Sequence, residues 1–457
     1  MKSPEECAGL IALALEEAGD EVADAVLVSS ERRLSRFANS ELHQNTAESD
    51  STLTVRIVVG EGQVGTASTS SMNAGDIRQS VELARFAARS ATASPGFEGL
   101  YQGTDPSPLE GLFDDATAAF EPEAKAHILA GLFDNARARD VTFAGSLADS
   151  SVAIATGNSN GVRRFAAITQ CEASFIAAKA GHSGHATQAA RRMSQLDLPR
   201  LSTEAVERSE RFSLMPREYE GGPCVAIIEP AGIAELFEWM NMIAFSGQSY
   251  EEGSSLLHGK LGEQIFGTNV SIVDDALDPE FLPFPFDMEG LPKRRIPIIE
   301  AGVAVTPLVD WLYAARLALP ATASASGLGS DEHGSALHLS MAPGSSSRDE
   351  MIRKTERGVL VTRFHYVNGM LDPRTALMTG MTRDGTFLIE HGELTGRLPN
   401  LRWTQSMAEA FSSVSDLSTE RRAIGSLWNP IGGTLAPTVR FERWNFAPSR
   451  SGRAQGA

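Results

Sequence analysis

Along the 457 residues, apolar positions switch between a spacing near 3.6 and strict alternation, and these switches predict the elements. Ser3, Pro4 and Glu6 form a helix start: a capping hydroxyl, proline at the first helical position, and a glutamate three residues after the cap. Leu10, Ile11, Leu13 and Ala14 carry that helix toward Gly19. Val22 to Ser30 and Arg32 to Asn45 have strand composition. Thr52 to Val59 alternates, with Leu53, Val55, Ile57 and Val59 on one face and Thr54 and Arg56 on the other. A turn over 60–65 leads into another short strand. Asp76 to Ala91 returns to helical spacing, with Ile77, Val81, Ala84 and Ala88 as its buried stripe.

Pro95 to Asp115 is rich in Pro, Gly, Ser and Asp and reads as a linker or long loop. Pro122 to Arg139 predicts a helix with Ile128, Leu129, Leu132, Phe133 and Ala136 inward. Val141 to Thr156 and Val162 to Ala178 predict two strands joined by the turn at 157–161, Thr203 to Leu214 a helix, and 216–223 a second boundary. Cys224 to Ile228 is a buried strand ended by Glu229 and Pro230. Ile233, Leu236, Phe237 and Met240 follow at helical spacing. Ser255 to Phe266 predicts a helix, Val270 to Asp274 a strand, Arg294 to Val305 a strand turning at Gly302, and Asp310 to Leu319 a helix. From Ser335 to Phe446 strands dominate, including Val359 to Tyr366 and a hairpin from Leu377 to Leu394. The expected fold is α+β, with modules over 1–93 and 116–215 and a β-rich domain with a few helices over 223–450. No repeat of solenoid length is visible.

Charge narrows the function. Acidic residues number 58 against 40 basic, a formal charge of −18, which repels phosphate backbones and anionic headgroups and speaks against nucleic acid or membrane partners. No apolar run approaches the ~18 residues that a membrane helix needs. Cys7, Cys171 and Cys224 form no CxxC pair. They offer neither a disulfide framework nor a cysteine-rich zinc site, as suits a cytoplasmic protein.

Motif matches carry little chemistry. Gly60, Gly62 and Gly65 fit GxGxxG, but strands on both sides favour a hairpin turn over a dinucleotide fingerprint. Gly157, Ser159 and Gly161 fit GxSxG, yet a strand-to-strand junction is hairpin chemistry and not a nucleophile elbow. His182 and His185 sit in a Gly- and Ala-rich stretch expected to be a loop. His333 and His338, with Glu332 beside the first, flank a glycine; both pairs are expected to be solvated, for want of a third ligand. Glu235 and Glu238 share a helix face with Trp239 beside them and read as a solvated face or partner contact. Arg383 and Asp384, at a strand bend before Gly385, together with His365 and Asn368 at the end of the preceding strand, are candidates to line a cleft for an extended peptide. A self-satisfied Arg383–Asp384 turn is the alternative.

Several segments resemble the TldD/PmbA family of zinc metallopeptidases, which work as paired subunits. They are Arg36 to Asn45 with Val55 to Gly60 and Gly65, Gly259 to Glu263, Phe286 to Gly290, and Arg383 to Phe387 with Glu390 and Gly392. The resemblance runs over nearly the whole chain and implies a substrate cleft between two subunits. Catalytic members of the TldD type are expected to carry HExxxH on the helix after the first strand of the C-terminal domain and a cysteine near the end. Here that helix reads from Ala231 to Met242 without a histidine, and no cysteine follows Cys224. The chain is therefore similar to the PmbA (TldE-like) branch. The resemblance implies a catalytically silent subunit that binds no cofactor itself, with zinc in a TldD-like partner, peptide as substrate, and a hetero- or homodimer as the assembly. Two alternatives remain: an autonomous hydrolase using His182, His185 or His365, and a regulatory binding protein linked to toxin–antitoxin or gyrase systems.

Overall fold

The computed structural model describes residues 1–93, 97, 99–329, 333–426, 428–429 and 431–449, apart from the side chain of Phe212. Its first half is a six-stranded antiparallel sheet in the order β3-β2-β1-β4-β5-β6. The strands are β1 (Val22–Ala38), β2 (Glu41–Val59), β3 (Gln63–Thr69), β4 (Thr142–Asn158), β5 (Arg163–Lys179) and β6 (His182–Ala190). Residues 1–93 and 116–215 each contribute three of these strands, so the two regions share one sheet. The break expected near Glu31 is absent. The chain turns instead at Asn39 and Ser40, both at positive φ, a two-residue turn whose twist matches the flanking strands.

Alternation gives this sheet two apolar faces. On one, Ala25, Leu27, Leu53, Val55 and Ile57 pack under α1 (Pro4–Ala18) and α2 (Ala74–Ser90). Ile77, Val81, Ala84 and Ala88 of α2 are all buried there. Farther along the same face Phe37, Phe143 and Phe175 pack with α4 (Pro122–Arg137) and α5 (Leu198–Glu210), beyond the single turn α3 (Asp115–Ala118). Helix α5 begins five residues before the expected Thr203, because Asp197 caps it and Pro199 sits in its first turn. Ile128, expected inward on α4, is exposed.

The opposite face, with Val26, Val152, Ile154 and Ile168, packs on Phe284, Phe286, Met288 and Ile431 of the second half. That half holds a twelve-stranded sheet. Its strands are β7 (Met215–Pro216), β8 (Gly222–Ile228), β9 (Ile272–Asp274), β10 (Ile296–Glu300), β11 (Val303–Ala304), β12 (His338–Met341), β13 (Arg357–Asp372), β14 (Leu377–Glu390), β15 (Glu393–Arg397), β16 (Arg402–Ser406), β17 (Val414–Gly425) and β18 (Gly433–Phe446). The centre is β18-β8-β13-β14, with β8 parallel to β13. Among the described residues five α-helices accompany the sheet: α6 (Pro230–Met240), α7 (Gly247–Glu251), α8 (Trp311–Leu317), α9 (Arg348–Arg353) and α10 (Met407–Ser412). The fold is thus α+β. Ile233, Leu236, Phe237 and Met240 of α6 enter the main core among Phe364, Trp403, Phe411, Phe441 and Trp444.

The segment from Ser255 to Phe266 is not helical; it is a run of turns, with Gly259 and Gly262 at φ +71 and +83. No L-residue helix passes through two such positions. Cys7, Cys171 and Cys224 are free thiols. Among the described residues no helix is long and apolar enough to cross a membrane.

Candidate functional site

The polar residues near α6 and the β13–β14 hairpin fall into three groups. The first joins the two sheets. Asp384 is buried, at φ +51, where β14 bends before Gly385. It accepts hydrogen bonds from Arg363 Nε at 2.7 Å and from Ser183 Oγ on β6 at 2.6 Å. Arg383 Nε lies 3.8 Å away. Asp384 thus pairs with Arg363 as well as with Arg383, because antiparallel register sets the two arginines opposite each other. His365 lies close to these groups. Burial, then Arg383 and Arg363, lower its pKa against the pull of Asp384. Next to Asp384 a cavity of about 370 Å³ is lined by His182, Ser183, Gly385, Arg397 and Asn400.

The second group is the far end of β13, which outruns its pairing with β8. Its register slips between His365 and Asn368 and again before Asp372. Tyr366 sits at φ +52 against the His365 ring, with centroids 3.9 Å apart. Asn368 is exposed and caps the backbone N–H of Met370 at 2.9 Å. Tyr366, Met370 and Leu371 stand 79%, 60% and 52% exposed, an apolar tip that the alternation pattern did not announce. Helix α6 lies on this strand because residue 369 is glycine. A Cβ there would come within 2.9 Å of Trp239 and 3.1 Å of Ile243. Glu235 is partly buried on that side, near the backbone of Val367. Burial raises its pKa. Its expected solvated position is thus replaced by contact with β13, while Glu238 and Trp239 remain partly exposed. The helix continues through a π turn, Asn241–Phe245.

The third group lies at the start of α6. Glu229 is buried; Arg208 of α5 donates to Oε2 and Arg348 Nη1 to Oε1 at 3.0 Å. Burial would raise its carboxyl, but Arg208, Arg348 and Arg211 outweigh it and hold the pKa below the usual value. These arginines lie 18 to 119 residues from Glu229 in sequence, and no local pattern points to them.

The histidines differ from expectation. His182 and His185 are on β6 and not in a loop; the small residues around them let α5 approach, and a Cβ on Gly184 would meet Ala205 O at 2.4 Å. His182 lies against Arg397. His185 is buried with Ser174 at 3.1 Å from Nε2, and burial plus Arg363, Arg208 and Arg422 push its pKa well down. His338 is buried on β12, while His333 bonds Asp310 at 2.9 Å and stacks on Tyr313. His338 is thus not a solvated loop side chain, while His333 lies in a loop with its ring held by these two partners. Glu332 lies outside the described residues. Among the described residues no three of His, Cys, Asp or Glu come together to hold a metal, and arginines stand near both β6 histidines.

Comparison with known proteins places this geometry. The family model for the PmbA/TldA metallopeptidase C-terminal domain matches residues 221–448, and that for PmbA/TldA metallopeptidase domain 1 matches 23–88. Together they span more than half of the chain. An uncharacterized protein of Methanocaldococcus jannaschii is 35% identical over 101 residues, 22% of this chain. A metalloprotease of Methanothermobacter thermautotrophicus is 26% identical over 172 residues, 37% of this chain. The matches take in 24% and 37% of those relatives' own lengths. The fold is also that of TldE from Thermococcus kodakarensis, with a TM-score of 0.83 and 20% identity over 97% of this chain and 100% of that one. A candidate modulator of a DNA gyrase from Thermotoga maritima gives a TM-score of 0.80 at 20% identity, covering 97% and 99%. From the matched domains and the shared architecture, the chain belongs to the PmbA/TldD metallopeptidase family.

Proposed function

We propose that this chain is the subunit without its own metal site in a two-subunit zinc peptidase that acts on small or unfolded peptides in the cytoplasm. Its role is to complete the cleft and to order the metal-bearing helix of a TldD-like partner. The observation that carries this reading is α6. It follows the first strand of the C-terminal domain, where catalytic members hold HExxxH, and it carries Glu235, Glu238 and Trp239 but no histidine. Activating water near neutral pH takes about three protein ligands on zinc, so the zinc belongs to the partner. The exposed tip of Tyr366, Met370 and Leu371 beside Trp239 supports a contact surface there, since large apolar side chains grouped in solvent mark interfaces. His365, Asn368 and Arg383 stand nearby as candidates to face peptide, with Asp384 buried behind them.

The test is reconstitution. Mixing the purified chain with an HExxxH-bearing family member from the same genome is expected to yield chelator-sensitive peptide hydrolysis that neither shows alone. Met370→Asp is expected to weaken the mixed activity and co-elution on gel filtration together. Full chelator-sensitive hydrolysis by this chain alone would overturn the reading in favour of an autonomous peptidase. The arginines against His182 and His185 weigh against that alternative, because cations beside an imidazole oppose a dication. The charge of −18 weighs against direct contact with DNA in a gyrase-linked role.

A further inference from the structure

A second cavity, about 520 Å³ in volume, lies between α5 and the start of α6. Arg208, Arg211 and Arg348 surround one carboxylate there, Glu229, whose two oxygens are already engaged by Arg208 and Arg348. Four of the other acids in its walls are also committed. Glu204 pairs with Arg208 and Arg422, Glu420 with Arg200, and Asp349 with Arg348, while Glu350 closes a capping box with Ser347. Glu207 is exposed and forms no ion pair among the described residues.

Arg211 is left over. Among the described residues its guanidinium has neither a hydrogen bond nor an ion pair; Nη1 is buried without an acceptor, and the group lies 5.1 Å from the centroid of the Phe387 ring. Nε of Arg208 is likewise buried without an acceptor. Burial, together with Arg348 and Arg208, lowers the pKa of Arg211 against the pull of Glu229 and Asp349. A fold gains nothing by burying such a donor unless something accepts from it.

We propose that this cavity binds the oxyanion of a small ligand, with Arg211 as its main cation and Arg208 and Arg348 beside it. A guanidinium fork matches a carboxylate or a phosphate in a bidentate pair, and the volume falls among those of small-ligand sites. A free peptide C-terminus and a phosphate share this chemistry. The site needs neither a metal nor a second subunit, so it stands or falls apart from the peptidase reading.

Isothermal titration of the full chain alone, with three probes, tests it: an N-acetylated tripeptide acid, the same tripeptide as C-terminal amide, and inorganic phosphate. Binding of the acid, the phosphate or both is expected, with none for the amide. Binding of the acid alone identifies a peptide terminus, and of phosphate alone a phosphorylated ligand; both results support the site. Arg211→Gln is expected to weaken binding at least about tenfold, and Arg211→Lys, which keeps the charge and loses the fork, by less. Thr203→Glu adds a carboxylate on the exposed rim and is expected to abolish binding, which keeps the test readable if Arg211→Gln does not fold. No binding of either anion up to millimolar concentration, equal binding of acid and amide, or affinity unchanged in both Arg211→Gln and Thr203→Glu would overturn the proposal.

Discussion

Asp384 gathers donors from two sheets onto one buried carboxylate, and its removal would leave Arg363 charged and without its acceptor. Breaking a buried pair from one side costs about 3 kcal/mol or more. Asp384→Ala is therefore expected to lower the denaturant midpoint by roughly that free energy, and Asp384→Asn by less, because the amide oxygen still accepts from Arg363 while its NH2 can donate to the Ser183 hydroxyl. Equal midpoints for wild type and Asp384→Ala would show that the ion pair merely offsets its desolvation. Asp384 itself was legible in the sequence, since an acid before glycine at a strand bend invites inspection. Its partner was not. Arg363 reaches it through antiparallel register, and Ser183 lies 201 residues away. Glu229 teaches the same lesson: it reads as a helix start, and its arginines come from α5 and α9.

At the scale of elements, periodicity succeeded where one face of an element meets one apolar surface. Helix α2 buries the four residues that its spacing selects, and β2 buries Leu53, Val55 and Ile57. It failed where small residues serve packing. The Gly and Ala content around His182 and His185 looks like a loop, yet it belongs to β6, and Gly184 is the contact point for α5. Its absent Cβ would sit 2.4 Å from Ala205 O and 2.5 Å from Ser209 N. These are backbone atoms that no rotamer change can move aside. Gly184→Ala is therefore expected to push α5 off the sheet at a cost of about 1–3 kcal/mol, and hydrogen exchange of the α5 amides should speed up more than that of α1. Unchanged protection of α5 would mean that the two backbones are not in close contact. Ser255 to Phe266 fails differently: its apolar spacing imitates a helix, but Gly259 and Gly262 turn the chain by positive φ.

The whole molecule is held together across its two halves by charge as well as by the Val26–Phe284 layer. Buried Arg56 of β2 pairs with Asp24 and reaches Glu289 Oε1 at 2.7 Å, while Glu289 Oε2 accepts from Trp311 N at 2.7 Å. Asp287 and Asp310 lie near, so carboxylates outnumber the cation among them. Burial raises the Glu289 carboxyl to about 8; Arg56 opposes this, and Asp310 and Asp287 reinforce it. Lys293, bonded to Asp274 at 2.8 Å, completes the charged surroundings, and the His333 ring bonds Asp310. In an unfolded chain the same group titrates near 4.5. The folded protein thus holds a proton that the unfolded chain releases. The stabilisation it gives is complete below the unfolded value and is lost as pH rises through the folded one, at a limiting slope of about 1.4 kcal/mol per pH unit for one proton. Relative to Glu289→Gln, which keeps an acceptor and cannot ionise, the wild type is expected to lose denaturant midpoint between about pH 5 and pH 8. Burial holds His185 and His338 neutral and tilts both profiles the other way, so the difference between the two is the readout. A variant with the same slope as the wild type would place the proton elsewhere and leave Arg56–Glu289 as a plain ion pair between the sheets.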